Sequence, residues 1–286
     1  MSAIIPNQDA CPFIIRDLPN ADYHASAGIS NSGLSDIAQS PFHFFARHLD
    51  PNRPTREETP AQLAGNLAHC AILEPSEFGK RYAVGPDVSR ATKEWKAFEA
   101  SLEPGVQAIK PDDYERAMRQ ADSVRRLPDV RTALDRGYAE ASAYWIDEET
   151  GVLCRCRPDW THTYSATCNI LLDVKTYADA SAPEFRRQVA RMRYHVQDAF
   201  YTEGFAKASG IETAGFLFVA VEDKWPFAAS VCTLDDAGKL AGSMLAHRDL
   251  RTYAECMRTN RWPSYPDSIQ TITLPDYAIA AATPGE

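Results

Sequence analysis

Three charged side chains in the middle of the chain have the types and the spacing that metal-assisted hydrolysis requires. An apolar run ends in Asp173-Val174-Lys175, and Asp159 stands fourteen residues before Asp173. Because side chains alternate between the two faces of a strand, Asp173 and Lys175 point the same way and Val174 points opposite. Two carboxylates can bind a hard divalent cation, and a lysine can orient a water nucleophile or stabilise charge on a phosphorane. The pattern indicates phosphodiester hydrolysis, and the alternative is a strand that ends in a surface ion pair.

A second pair of polar side chains, Gln197 and Tyr201, follows in a long helical stretch. Their i, i+4 spacing places both on one face of the helix, one turn apart. A glutamine amide and a tyrosine hydroxyl both donate and accept hydrogen bonds, which suits contact with a phosphate or with a metal ligand. A helix with one polar surface residue and one half-buried aromatic residue would show the same spacing.

The elements that must position these side chains are helices at first, then a group of strands, then helices again. Helices are predicted over 28–39, 41–49, 60–73, 92–102, 112–126, 183–208 and 235–258, and strands over 139–147, 152–159, 169–176, 215–222 and 227–233. We therefore predict a single domain over 1–286 with a mixed α/β fold, in which helices flank a central sheet and further helices precede it. Residues 1–20 and 277–286 are expected to be peripheral or flexible.

The composition is that of an ordinary globular protein. Of the 286 residues, 44% are hydrophobic and 24% are charged, so the chain can bury a substantial core. It contains no apolar run long enough to span a membrane, and residues 1–11 lack the features of a signal peptide, so we expect a cytoplasmic protein. The seven cysteines include no Cys-x-x-Cys pair, and we expect them to be reduced packing residues.

The charge distribution has one feature that suits nucleic acid. The net charge of −9 is unusual for a DNA-binding protein, but Arg186, Arg187, Arg191 and Arg193 cluster shortly before Gln197. Such clusters are commonly no more than a solvated helix face. Here the arginines lie one to three turns from the predicted site, where phosphates would pass. The acidic total argues against a tight nonspecific DNA-coating protein more than against a nuclease.

The order of these motifs resembles the RecB-like branch of the PD-(D/E)xK nucleases. More specifically, the chain is similar to the nuclease domain of the RecE-type exonucleases (exonuclease VIII type) of phages and prophages. The matching segments extend over nearly the whole chain, at 23–25, 28–34, 40–44, 65–69, 73–75, 150–159, 173–176, 194–201 and 262–265. One departure is the separation of Asp159 from Asp173, which is longer than in that family and predicts a wider hairpin loop over 161–168.

The resemblance implies a metal site and a set of catalytic residues. In RecB-like nucleases, a histidine after a glycine-containing helical turn binds the metal beside the two acids, and that position is His69 here. The implied metal is Mg²⁺, with Mn²⁺ as a substitute. Its implied ligands are His69, Asp159, Asp173 and the main-chain carbonyl of Val174, with Glu140 as a weaker candidate. The implied catalytic set is Asp159, Asp173, Lys175, Gln197 and Tyr201.

The resemblance also implies an activity and partners. The implied activity is 5′-to-3′ digestion of linear duplex DNA from its ends for recombination. The implied assembly is a ring-like homotetramer, and the implied partner is a RecT-like single-strand annealing protein. Some RecB-like relatives hold an iron–sulfur cluster on four cysteines, but Cys232 and Cys256 do not reproduce its C-terminal pattern, so none is expected. Two alternatives stay open: another nuclease of the same chemistry, of endonuclease or spacer-processing type, and a catalytically silent DNA-binding scaffold.

Overall fold

A computed structural model describes residues 11–54 and 58–275, so the predictions for residues 1–10 and 277–286 fall outside the described residues. The helices are α1 (Asn20–Ala25), α2 (Asn31–Gln39), α3 (Pro41–Phe44), α4 (Pro60–Leu73), α5 (Pro75–Arg81), α6 (Lys93–Ala100), α7 (Pro111–Arg125), α8 (Pro128–Leu134), α9 (Ala182–Arg191), α10 (Tyr194–Ser209) and α11 (Asp236–Thr259), and a π-helical turn at Phe45–Leu49 continues α3. The strands are β1 (Phe13–Ile15), β2 (Tyr82–Val84), β3 (Gln107–Ile109), β4 (Gly137–Ala139), β5 (Ser142–Ile146), β6 (Leu153–Cys156), β7 (Trp160–Ser165), β8 (Cys168–Tyr177), β9 (Glu212–Glu222) and β10 (Ala229–Cys232).

A five-stranded mixed sheet lies at the centre, in the order β10-β9-β8-β7-β4. Strands β8 and β9 are parallel, and the other neighbouring pairs are antiparallel. A three-stranded antiparallel sheet, β1-β5-β6, and a short parallel pair, β2-β3, accompany it. Helices pack on both faces of the central sheet, so the predicted fold class, a mixed sheet flanked by helices, is confirmed.

Strand β8 divides its side chains between two hydrophobic clusters. Leu172 and Val174 are buried with residues of α4, α7 and α8 on one face, whereas Leu171 is buried with residues of α9 and α10 on the other. Burying one such side chain stabilises the fold by about 1.5–3 kcal/mol. Because side chains alternate along a strand, Asp173 and Lys175 share the face of Leu171 and point toward α10.

Helix α4 begins and ends where the sequence predicts, at residues 60 and 73. The side chain of Thr59 accepts a hydrogen bond from Gln62 N (3.2 Å), and the side chain of Gln62 accepts one from Thr59 N (2.8 Å). This reciprocal capping satisfies main-chain donors that a helix start leaves without partners, and Pro60 fits the first helical position because it has no N–H to satisfy. The helix carries His69 toward β8.

One predicted strand is divided between the two larger sheets, and another is shorter than predicted. The stretch 139–147 changes sheets between β4 and β5, at Glu140, which has a left-handed conformation with φ of 47°. Of the stretch 152–159, only β6 is a strand; it ends at Cys156, and the chain then crosses to the central sheet, where β7 begins at Trp160. As a result, Glu140 does not begin a strand, and Asp159 lies in a connection between two strands.

The wider hairpin loop predicted over 161–168 is wrong. Strands β7 and β8 stay paired down to Ser165 opposite Cys168, with one irregularity in register between Thr163 and Ser165. Two residues are left for the turn, Ala166 and Thr167. The additional residues therefore lengthen the two strands, because pairing satisfies their main-chain donors and acceptors.

The single helix predicted over 183–208 is also wrong, since α9 ends at Arg191 and α10 begins at Tyr194. Arg193, between them, has a left-handed backbone with φ of 58°. Its guanidinium forms an ion pair with the buried carboxylate of Asp249 on α11, and its carbonyl accepts from Val196 N (2.9 Å). These contacts stabilise a break that the local helical pattern does not show.

Several elements were not predicted at all. They are α1, α5, α8 and the strands β1, β2, β3 and β7; β1 lies in the segment expected to be peripheral and pairs with β5. Among residues 11–54 and 58–275, no helix has the length and apolar character needed to cross a membrane.

Candidate active site

The site forms where β8 extends beyond β7. Because β7 begins at Trp160, the C-terminal half of β8 has β9 on one side and no strand of the described chain on the other. Asp159 and His69 take the place of that strand. Asp159 Oδ2 accepts a hydrogen bond from Val174 N (2.7 Å), and His69 Nε2 is 2.9 Å from Val174 O. The main chain of β8 thus positions one side chain from the β6–β7 connection and one from α4.

The contact with Val174 determines which nitrogen of His69 can bind a metal. A carbonyl only accepts, so His69 Nε2 is the donor of this contact, and in a neutral imidazole Nδ1 is then the nitrogen with a lone pair for a metal. Nδ1 lies 3.6 Å from Asp159 Oδ2. Histidines that bind metals commonly donate their second ring N–H to a carbonyl, as His69 does here.

The second carboxylate, Asp173, is buried and is held by two side chains. Gln197 on α10 donates from Nε2 to Asp173 Oδ1 (2.5 Å), and Lys175 Nζ lies 2.5 Å from Asp173 Oδ2. Lys175 and Gln197 thus each contact one oxygen of the buried Asp173 carboxylate. The ring of Tyr194 covers Lys175 Nζ at 4.6 Å from its centroid, and Tyr194 in turn contacts Tyr177 through their hydroxyl groups.

The electrostatics of the site indicate a place for a cation. Burial, followed by the nearby charge of Asp173, raises the pKa of Asp159 to about 6. Burial alone would lower the pKa of Lys175, but the carboxylates of Asp173 and Asp159 outweigh it and raise that pKa above its usual value. Two carboxylates and an imidazole nitrogen suit a hard divalent cation, which would offset the repulsion between Asp159 and Asp173. The residues present therefore fit Mg²⁺ or Mn²⁺.

The side chains of Tyr201 and Glu140 form no hydrogen bond or ion pair with the two carboxylates in the part of the chain that the structure describes. The ring of Tyr201 packs edge-on against Phe216 (5.9 Å between centroids), burial raises its pKa, and its hydroxyl forms no hydrogen bond with the described residues. Glu140 N donates to Asp159 O (3.1 Å), but the Glu140 carboxylate forms an ion pair with Arg157. Glu140 is thus next to Asp159 through its main chain, while its side chain is engaged elsewhere.

The four predicted DNA-binding arginines separate into two groups. Arg186, Arg187 and Arg191 are exposed on α9, with Arg187 bound to Glu184 (2.6 Å). Arg193 is half-buried and paired with Asp249, so it does not belong to the exposed face.

A further group of possible metal ligands was not predicted. Single ligand atoms of Asp147, Glu203 and His247 lie within 4.8 Å of one another, between the end of β5 and helices α10 and α11. Glu203 is six residues beyond Gln197, which corresponds to about 9 Å along α10, so this group is separate from the acid and lysine site. Glu203 already pairs with Lys207 (2.9 Å). Asp147, Glu203 and His247 come from three distant segments of the chain and form no sequence motif.

The mixed sheet, with two acids, a lysine and a histidine at the open edge of β8, defines a PD-(D/E)xK-like protein. The family described as "PDDEXK-like domain of unknown function (DUF3799)" matches residues 30–275, and the chain belongs to that family. None of the curated proteins gives a significant match.

One solved structure shares the fold over most of the chain. It is a protein from Eubacterium rectale named "Putative exonuclease", with a TM-score of 0.57 and 15% identity over 94% of this chain and 100% of that chain. At this identity, the similarity shows the fold alone. The protein SSO0001 (TM-score 0.28, 16% identity, 49% of this chain and 66% of that one) and VC1899 from Vibrio cholerae (TM-score 0.21, 10% identity, 82% and 57%) are too dissimilar in structure to support an argument.

Proposed function

We propose that this chain is a divalent-metal-dependent deoxyribonuclease that hydrolyses phosphodiester bonds. The observation that supports this most strongly is the convergence of Asp159, Asp173 and His69 Nδ1 beside Lys175. The three come from a strand connection, a strand and a helix, and the repulsion between the acids is the kind that a bound cation relieves.

Each residue has a role that follows from its contacts. Asp159, Asp173 and His69 would hold the cation, which supplies Lewis-acid stabilisation of the phosphate and a more acidic bound water. Gln197 fixes the orientation of the Asp173 carboxylate through Oδ1. Lys175, close to the same carboxylate and positively charged at neutral pH, is placed to stabilise the negative charge that develops on the phosphate.

The finer activity that we propose is exonuclease action on the ends of linear duplex DNA, 5′ to 3′, as in the RecE-type enzymes that the motifs resemble. What supports it is the order of the motifs together with the exposed cations Arg186, Arg187 and Arg191 on α9, next to the site. We further propose a homotetramer and a RecT-like annealing partner, for which the resemblance is the support. Sedimentation velocity of the full chain tests the tetramer, and copurification with an annealing protein tests the partner.

The test of the activity is a comparison of linear blunt, nicked and circular duplex DNA, each with Mg²⁺, Mn²⁺, Ca²⁺ or excess chelator. An exonuclease digests the linear and not the closed circular DNA, needs Mg²⁺ or Mn²⁺, and shows no turnover with Ca²⁺. End-labelling of either strand reports the direction. Cleavage of closed circles would favour the endonuclease alternative, and full activity in chelator would refute the metal-dependent mechanism.

Two variants distinguish cleavage at this site from cleavage by a contaminating nuclease. Asp173→Asn removes one charge at the site, and Lys207→Ala removes a lysine that forms a similar ion pair, with Glu203, elsewhere in the fold. The first should abolish cleavage and the second should leave it near that of the wild type. Equal activity in all three proteins would show that the cleavage does not come from this site, as expected for the silent-scaffold alternative.

A further inference from the structure

The side chain of Trp225 is exposed to solvent at the C-terminal end of β8 and β9, the same end of the sheet as the proposed active site. Trp225 is 80% exposed, and the next most exposed aromatic residue of the described chain, Tyr164, is 64% exposed. Tryptophan is highly buried on average, and an exposed aromatic face at the end of the strands that lead to the site is available to a base of the substrate. We propose that Trp225 is a stacking platform for a nucleobase of the DNA strand that enters the active site. The proposal rests on the proposed function and adds a contact that recognises the substrate.

The position of Trp225 follows from the register of the parallel strands. Strands β8 and β9 are parallel neighbours, with Lys175 opposite Ala220 and Tyr177 opposite Glu222, so their C-terminal ends lie side by side. The chain turns there, and Asp223 N donates to Tyr177 O (2.8 Å). Trp225 therefore lies in the β9–β10 turn, beside the end of β8 that carries Lys175.

The distance between Lys175 and Trp225 corresponds to a few nucleotides of one DNA strand. Two residues of strand, from Lys175 to Tyr177, span about 7 Å, and the turn adds a similar length, which gives on the order of 10–15 Å from Lys175 to Trp225. Phosphates along one strand of B-form DNA rise by about 3.4 Å each. The ring can thus reach a base roughly three to four nucleotides from the phosphate at the acids.

Hydrogen bonds order the main chain of the turn that carries the ring. Glu222 N donates to Ala228 O (2.9 Å), and the Glu222 carboxylate accepts from Ala228 N (3.3 Å) across the base of the turn. Phe227 N donates to Lys224 O (2.6 Å) within it. A platform that is ordered before binding loses less conformational entropy when a base stacks on it.

One cation, Lys224, lies directly before the ring in the sequence and is exposed. It lines a cavity of about 840 Å³ at the N-terminal end of α4, whose charged lining is balanced between Arg90, Arg116 and Lys224 on one side and Glu58, Asp113 and Asp223 on the other. A helix of this length has a partial positive charge at its N-terminus. Asp113 pairs with both Arg90 and Arg116 and offsets part of their positive charge. An aromatic ring beside a lysine is the combination that proteins use for single strands, in which stacking tolerates any base and the cation contacts the backbone.

The experiment compares four proteins, the wild type, Trp225→Ala, Trp225→Phe and the control Tyr164→Ala. Tyr164 is an exposed aromatic residue on β7 near the β7–β8 turn, at the opposite end of β8 from Asp173. Affinity for fluorescein-labelled single-stranded and blunt duplex oligonucleotides is measured by anisotropy in Ca²⁺, and cleavage of the same DNA is measured in Mg²⁺. Sedimentation velocity and thermal melting of each variant report assembly and folding.

We expect Trp225→Ala to weaken DNA binding by about 5- to 150-fold, the range reported for loss of one base–aromatic stack. Trp225→Phe keeps an aromatic face and should recover most of the affinity, and Tyr164→Ala should bind as the wild type does. If the wild type cleaves DNA but Trp225→Ala binds DNA as Tyr164→Ala does, the stacking inference is overturned and the nuclease proposal stands. A change in sedimentation with unchanged DNA affinity would overturn it in favour of an interface with a second copy. A wild type that neither binds nor cleaves DNA overturns both proposals.

Discussion

The carboxyl group of Asp198 provides a quantitative test of the packing around the site. It follows Gln197 in sequence, but it lies buried on another face of α10. Its Oδ1 accepts from Thr202 Oγ1 (3.3 Å), and its Oδ2 is buried without a hydrogen-bond partner among the described residues. Burial raises its pKa from the ordinary value of 3.8 to about 6, although the nearby charge of Lys239 on α11 and the hydrogen bond from Thr202 act in the opposite direction.

The sign of the effect on stability follows from proton linkage. The folded state binds the Asp198 proton more tightly than the unfolded state does, so the free energy of unfolding falls as the pH rises between about 4 and 6. Above that range the loss is complete. The two pKa values differ by about two, and each pKa unit corresponds to about 1.4 kcal/mol, so the loss amounts to at most about 3 kcal/mol.

The perturbation is Asp198→Asn, which imitates the protonated acid at every pH. We expect the variant to gain stability over the wild type as the pH rises from about 4 to about 8, by up to about 3 kcal/mol, with most of the gain between about pH 4 and 6. Any cost of leaving the new amide without a partner is the same at every pH and cancels from this difference. Urea-induced unfolding of both proteins at several pH values, followed by circular dichroism, measures it.

Asp249→Asn is the matched control for this experiment. Asp249 is also a buried acid at the interface of α10 and α11, but it pairs with Arg193 and Arg248. Its replacement leaves the partly buried Arg193 without an anion and should destabilise the protein across the whole pH range. Parallel stability curves for the wild type and Asp198→Asn would refute the reasoning, because they would mean that Asp198 does not change its proton affinity on folding.

Three further predictions concern the site and the helix behind it. Lys175→Ala should reduce the cleavage rate by on the order of 100-fold or more while calorimetry still detects metal binding, and loss of metal binding would point to a structural role. His69→Ala should weaken metal affinity and leave the melting temperature near that of the wild type; the reverse, a lower melting temperature with unchanged turnover per folded molecule, would remove His69 from the site. Gly204→Ala should destabilise by about 1–3 kcal/mol, because the new Cβ would lie 2.2 Å from the ring of Trp145, and unchanged denaturant unfolding would contradict that packing.

The elements predicted correctly are those whose limits are determined by neighbouring residues. Helix α4 is an example, since Thr59 and Pro60 form its start and Glu74 and Pro75 determine its end. Strand β8, predicted over 169–176, extends by one residue at each end, because its apolar residues are buried on both sides and its pattern is clear.

The elements predicted wrongly depend on distant contacts. The break at Arg193 requires Asp249 on α11, and no local signal such as glycine or proline marks it. The change of sheet at Glu140 depends on which strands lie alongside, because hydrophobic alternation continues through it, whereas Pro158 is a local signal for the end of β6 that the prediction did not use. Trp225 and Asp198 were not identified because exposure and burial are properties of the folded chain.

The spacing of the two acids follows from the register of the β7–β8 hairpin. Trp160 pairs with Leu172, so the next position outward on each strand brings Asp159 opposite Asp173. The register is constant from Trp160 to Thr163, and the one irregularity, between Thr163 and Ser165, lies next to the turn and away from the acids. A longer hairpin therefore moves the turn away from the site without separating the acids. This explains how the chain can depart in length from the family that its motifs resemble and still bring both carboxylates, with Lys175 beside them, to the open edge of β8.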